Sequence, residues 1–174
     1  VRARGYLFLG LLTWKTLGLA GAALMLVAHG LSIAALFALS GELRERTGTL
    51  DFAELGGLAK VMPTFGLLFG FATMAAVGLP GFANFAAEVM IFFGAFSAGV
   101  PVKFGFNEFQ IAAVIAVWGV VISAIFLLRS YRRIFMGPIG DKWKSLSDIG
   151  ALPRLCIAGL IFLLVLTGFF PQIV

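Results

Sequence analysis

Glu88 is the one formally charged residue between positions 60 and 103, and it stands eight residues after Pro80 in the stretch VGLPGFANFAAEVM. An ionised carboxylate at bilayer depth costs roughly 2.5 to 3.5 kcal/mol even on the lenient insertion scale, so such a residue is read as functional by default. A second ionisable residue, His29, lies near the middle of an otherwise uncharged run over residues 16–41. Asn84 precedes Glu88 by four residues and Ser32 follows His29 by three, so each pair shares one face of a helix and forms a short polar stripe. A carboxyl group in a desolvated setting can hold and release a proton, and an imidazole titrates near neutrality. Together they have the properties of a proton relay.

The break before Glu88 fits that chemistry. Pro80 lacks an N–H and its ring clashes with the carbonyl four residues earlier, while Gly78 and Gly81 tolerate unwound backbone. The expectation is a discontinuous helix that leaves free carbonyls and the N-terminus of a half-helix inside the membrane, an arrangement that transport proteins use at ion sites. A plain proline kink is the alternative, but glycine on both sides and a carboxylate two turns on favour a true discontinuity.

These residues need elements that hold them in lipid, and the composition supplies them. Hydrophobic residues make up 61% of the chain and charged ones 12%, and the mean hydropathy is +1.06. This describes an integral membrane protein. Residues 16–41, 61–87, 109–128 and 155–174 carry no formal charge with His29 neutral, and about 20 such residues cross a bilayer as a helix. The runs do not alternate polar and apolar residues as barrel strands do. The fold class is therefore an all-α, polytopic membrane bundle with one discontinuous helix. Expected segments are the end of a helix over 5–14, a helix over 16–41, a broken helix over 61–99 with the break near 78–82, and helices over 109–133 and 152–171.

The net charge of +5 does not indicate nucleic acid, because the basic residues sit between the apolar runs and are not gathered on an aromatic-laced surface. Six of the thirteen Lys and Arg residues fall between 129 and 154, which predicts a cytoplasmic linker there, a C-terminus outside, and an outside loop around Lys103. Residues 61–99 leave open whether they cross once or twice; a single crossing puts the 42–60 linker on the same side as 129–154, two crossings put it opposite. Gly66 with Gly70, and Gly94 with Ala98, are small-residue pairs suited to close helix packing. One Cys and one His supply no internal disulfide, iron–sulfur ligand set or metal cluster, and no nucleotide loop or nucleophile triad is present. The opening VRARGYLFLGLLTW has no initiator Met and only half a crossing, so the chain is expected to be a C-terminal fragment.

The segments AHGLSIAALFALSGELRERTGTLDFAELGGLAKVMP, ATMAAVGLPGFANFAAEVMIFFGAF and LLRSYRRIFMGP, in that order, closely resemble the C-terminal part of the antiporter-like membrane subunits of NADH:quinone oxidoreductase, respiratory complex I, of the subunit M or chain 4 type. The resemblance covers essentially the whole chain from residue 5. It implies a fourteen-helix subunit with inverted repeats, a single broken crossing over 61–99, and protons carried along a polar axis in mid-membrane. His29 matches the histidine of that axis and Glu88 its terminal carboxylate; related subunits and cation/proton antiporters usually carry Lys at this position. By the same resemblance no cofactor is held here, and NADH, flavin, iron–sulfur clusters and quinone belong to partner subunits of the complex. The implied partners are other membrane subunits, including neighbouring antiporter-like ones, together with the bilayer and protons, in a bacterial inner membrane. Where the family has SHMG this chain has RARG, so the earlier family histidine falls at Ala3. Two other readings are a subunit of a multisubunit cation/proton antiporter and a truncated remnant that transports nothing.

Overall fold

A computed structural model describes residues 2–100 and 105–173, so part of the loop around Lys103 lies outside the described residues, as does Val1. The helices are α1 (Arg2–Leu12), α2 (Thr16–Thr47), α3 (Pro63–Val77), α4 (Ala83–Phe96), α5 (Glu108–Phe135) and α6 (Ala151–Phe169). Three of them, α2, α5 and α6, are long and apolar enough to cross a membrane.

The bounds of the first two helices differ from the sequence reading. The first helix spans Arg2 to Leu12, where the sequence suggested 5–14. Its end is a tight turn in which the Thr13 hydroxyl donates to the Gly10 carbonyl at 2.7 Å and Trp14 takes φ 49°, an uncommon value for a non-glycine residue. The second helix does not end at residue 41 but continues through the charged GELRERT to Thr47, where Gly48 closes it at φ 71° and donates to the Arg44 carbonyl. Charge ends a helix's stay in lipid, not the helix. The extension is supported by the Glu42–Arg46 pair at 3.0 Å, one turn apart, and by Arg44 and Arg46 at the negative end of the helix dipole.

α2 is about 48 Å long at 1.5 Å per residue and serves as the spine. α4 runs antiparallel to it. Gly94 meets Gly18 so closely that a Cβ on Gly94 would lie 2.6 Å from the Gly18 Cα, and a Cβ on Gly21 would lie 2.9 Å from the Ile91 nitrogen. In lipid, where apolar burial drives little, such backbone proximity is what brings helices together. α3 follows the C-terminal half of α2 in the same antiparallel sense, with Phe69 and Thr73 bordering the same cleft as Leu36, Ser40 and Leu43. The two half-helices thus lie end to end along one spine, the arrangement that a single broken crossing requires. Consistently, the two linkers meet at one end: Gly57 N–H donates to the Met136 carbonyl, the Trp143 indole to the Glu54 carbonyl at 3.0 Å, and Lys142 pairs with Glu54 at 3.1 Å.

α5 starts in a capping box formed by Asn107 and Gln110 and ends against α3. Its Tyr131 hydroxyl donates to the Gly66 carbonyl at 3.1 Å, and its ring lies over Gly70. Gly66 and Gly70 are therefore a seat for an aromatic side chain of α5. The buried core falls into two clusters. One holds Ala28, Leu39, Phe65, Phe69, Ala72, Ala83, Phe135 and Leu164. The other holds Tyr6, Leu24, Met25, Ala87, Ile91 and Ala95. The seam between them falls at residues 25–28 of α2 and 83–87 of α4, beside the break.

Candidate functional site

The break is built as a helix end. α3 stops at Val77 because Gly78, at φ 88°, turns into the left-handed region that glycine occupies without strain. Gly78 N–H donates to the Ala75 carbonyl at 3.1 Å and Leu79 N–H to the Met74 carbonyl at 3.2 Å, a Schellman closure. Pro80 follows where the helix cannot resume, Gly81 adds a second turn at φ 98°, and Phe82 in extended backbone leads into α4.

Two of the carbonyls expected to be free at the end of α3 are engaged. Met74 and Ala75 both accept from the closure, and the Ala75 carbonyl also accepts from Asn84 Nδ2 at 2.8 Å. A buried amide oxygen left without a donor costs a few kcal/mol, so the chain closes its own break. The same Nδ2 donates to Ser32 Oγ at 2.9 Å, and Ser32 in turn donates to the Ala28 carbonyl at 2.7 Å. Asn84 therefore ties α3, α4 and α2 together at one atom.

Glu88 lies one turn beyond Asn84 on α4, 3% exposed, with Asn84 at 2% and Ser32 at 1%. Its carboxyl packs on the unwound backbone: a Cβ added to Gly78 would sit 2.9 Å from Glu88 Oε2. His29 is half-buried on α2 one turn before Ser32, and its carbonyl accepts a longer bond from the Ser32 hydroxyl at 3.3 Å. The structure thus brings Ser32 to Asn84 and Glu88 to Gly78, with His29 at the edge of the same polar seam. Pro80 is exposed, in the turn between α3 and α4. What the arrangement offers chemically is a buried carboxyl group at a helix discontinuity, beside a chain of hydroxyl, amide and carbonyl groups.

Two positions that matter here carried no sequence signal. Gly168, near the end of α6, approaches the break so closely that a Cβ there would lie 2.6 Å from the Gly81 oxygen. Asp148, in the linker before α6, caps α3. Its carboxylate accepts from Thr64 N–H at 2.9 Å and Phe65 N–H at 3.0 Å, just after Pro63, which has no N–H to satisfy. Arg46 donates to the Asp148 carbonyl at 2.9 Å and fixes this linker to the end of α2. Burial pushes the Asp148 carboxyl up, but the hydrogen bonds from Thr64, Ile149 and Phe65 outweigh it and hold it below its ordinary value of 3.8.

Residues 2–129 match the family described as NADH:quinone oxidoreductase/Mrp antiporter, transmembrane. The chain is 33% identical over 97% of its length to NADH-quinone oxidoreductase subunit M of Mycobacterium tuberculosis, covering 29% of that protein. It is 37% identical, again over 97% of its length, to NAD(P)H-quinone oxidoreductase chain 4 1 of Synechococcus elongatus, covering 31%. Among solved structures it is similar to a chain of respiratory complex I from Thermus thermophilus with bound NADH, at 30% identity and a TM-score of 0.83, covering 97% of this chain and 33% of that one. The chain spans about a third of the length of the relatives it matches.

Proposed function

The chain belongs to the NADH:quinone oxidoreductase/Mrp antiporter transmembrane family, and from that premise we propose that it is part of a proton-translocating membrane subunit of an NADH:quinone oxidoreductase. Glu88 is the proton carrier, His29 a relay toward it, and Asn84 and Ser32 the groups that fix the junction. The observation that carries this reading is the buried Glu88 carboxyl seated on unwound backbone at Gly78, where two half-helices meet in one crossing. A carboxyl group there is held at a point where packing is interrupted and the backbone is already irregular, which is where membrane transporters bind and release ions. The chain supplies proton transfer and no redox step; NADH, flavin, iron–sulfur clusters and quinone are assigned to partner subunits, among them neighbouring antiporter-like subunits in a bacterial inner membrane. The basic linker over 129–154 is assigned to the cytoplasmic side and the C-terminus to the outside.

The test is Glu88→Gln in the full-length subunit within its complex, in sealed vesicles. Proton uptake coupled to quinone reduction should be lost while the complex assembles in normal amount; full pumping by the variant overturns the reading. The family description also covers Mrp antiporters, and proton movement driven by a sodium gradient without any electron donor would favour that second reading over the first.

A further inference from the structure

The cytoplasm-assigned end of α5 carries an arginine cleft that proton transfer does not use. Arg129, Arg132 and Arg133 line one open cavity of about 670 Å³ together with Leu55, Met136 and Pro138. All three are exposed, and none is in an ion pair among the described residues; Arg133 Nε donates to the Phe52 carbonyl at 3.1 Å. Arg132 and Arg133 stand three and four residues beyond Arg129, the spacings at which like charges on a helix repel. The negative end of the α5 dipole offsets only part of that repulsion. Charge that merely sets topology would need no shared cleft.

We propose that this cleft binds the phosphodiester of an anionic membrane lipid, with the arginines holding the phosphate and the acyl chain lying along α5. The occupant follows from what stands directly below the cleft. Arg129 is stacked one turn above Ile125 and Phe126, which are 61% and 63% exposed, and Ile122 is 66% exposed a further turn down. The arginine cluster thus caps an exposed apolar stripe of about two helical turns, against which the headgroup-proximal part of an acyl chain would lie. Guanidinium groups fork onto phosphate oxygens in a way that a hydrated ammonium does not, and basic pockets at the ends of membrane helices are suited to anionic headgroups.

The test uses the full-length membrane polypeptide in an uncharged detergent, titrated with dihexanoyl phosphatidylglycerol, dihexanoyl phosphatidylcholine or inorganic phosphate, with binding read by native mass spectrometry. Phosphatidylglycerol should bind about 100-fold more tightly than phosphatidylcholine, from roughly a fivefold gain per arginine. R129Q/R132Q/R133Q should abolish that preference, whereas R44Q/K144Q/R154Q, which removes equal charge at the same end outside the cleft, should keep it. Equal loss in both variants, or no preference in the unmodified protein, overturns the proposal. Displacement of the lipid by inorganic phosphate at matching concentration also overturns it, and marks a free-anion site. Should the triple variant not survive extraction, the single variant R132Q decides by a severalfold loss of preference.

Discussion

At the scale of single residues, the site depends on groups that satisfy one another. Asn84 was legible in the sequence as a polar residue one turn from Glu88, but its bonds to Ala75 and Ser32 were not, because they join residues nine and fifty-two positions away. Asn84→Leu removes a donor from a buried carbonyl and a buried hydroxyl at once. It should cost about 1 to 3 kcal/mol, read as a lowered unfolding temperature in detergent; an unchanged midpoint would mean the network is dispensable. Gly78 was legible as a helix breaker, whereas its contact with the Glu88 carboxyl needed the fold. Gly78→Ala combines a left-handed φ of 88° with a Cβ 2.9 Å from Oε2. Its cost should exceed about 1 kcal/mol and should shrink when Glu88 is shortened to Ala. Additive effects in that double-mutant cycle would argue that the two residues do not touch.

At the scale of elements, α3 shows how a helix too short to span on its own is held. It needs Gly78 to end it and Asp148 to begin it. Pro63 is a readable first-turn residue, but the acid that binds the next two N–H groups comes from a linker more than eighty residues on. Asp148→Ala should cost about 0.5 to 2 kcal/mol, the value of a lost helix cap. The pH dependence has a definite sign. Because the folded protein holds this carboxyl below 3.8, its stabilisation is fully present above that value and fades as pH falls through the folded value. The unmodified protein should therefore lose its advantage over Asp148→Ala in acid, and a difference in unfolding temperature that persists well below that pH would exclude the cap as its source. α2 makes the complementary point. Charge marked where it leaves the hydrocarbon, yet the Glu42–Arg46 pair and the Gly48 closure carry the helix on to Thr47.

At the scale of the whole molecule, the decisive feature is that α3 and α4 lie in series along α2, so the 42–60 and 129–154 linkers meet at one end. Single cysteines at Glu45 and Ser145, in a Cys156→Ser background, should both react with an impermeant maleimide from the same face of the membrane, and one at Lys15 from the other. Opposite labelling of the first two would require two crossings over 61–99. The bundle also divides into two apolar clusters with the polar seam between them, and that division was invisible in a sequence whose helices are apolar all round. Composition and uncharged run length alone determined that this is a membrane helix bundle, since lipid tolerates only segments that satisfy their own backbone. The Gly78, Pro80 and Gly81 spacing located the break, and the cost of a carboxylate in hydrocarbon singled out Glu88. Tertiary structure alone decided what those residues face: Gly78 under Glu88, Asn84 between three helices, Gly168 against Gly81, and Asp148 on the first turn of α3. Local sequence fixes dihedral preference and hydrophobicity, but a contact between residues far apart in the chain exists only once packing has brought their helices together.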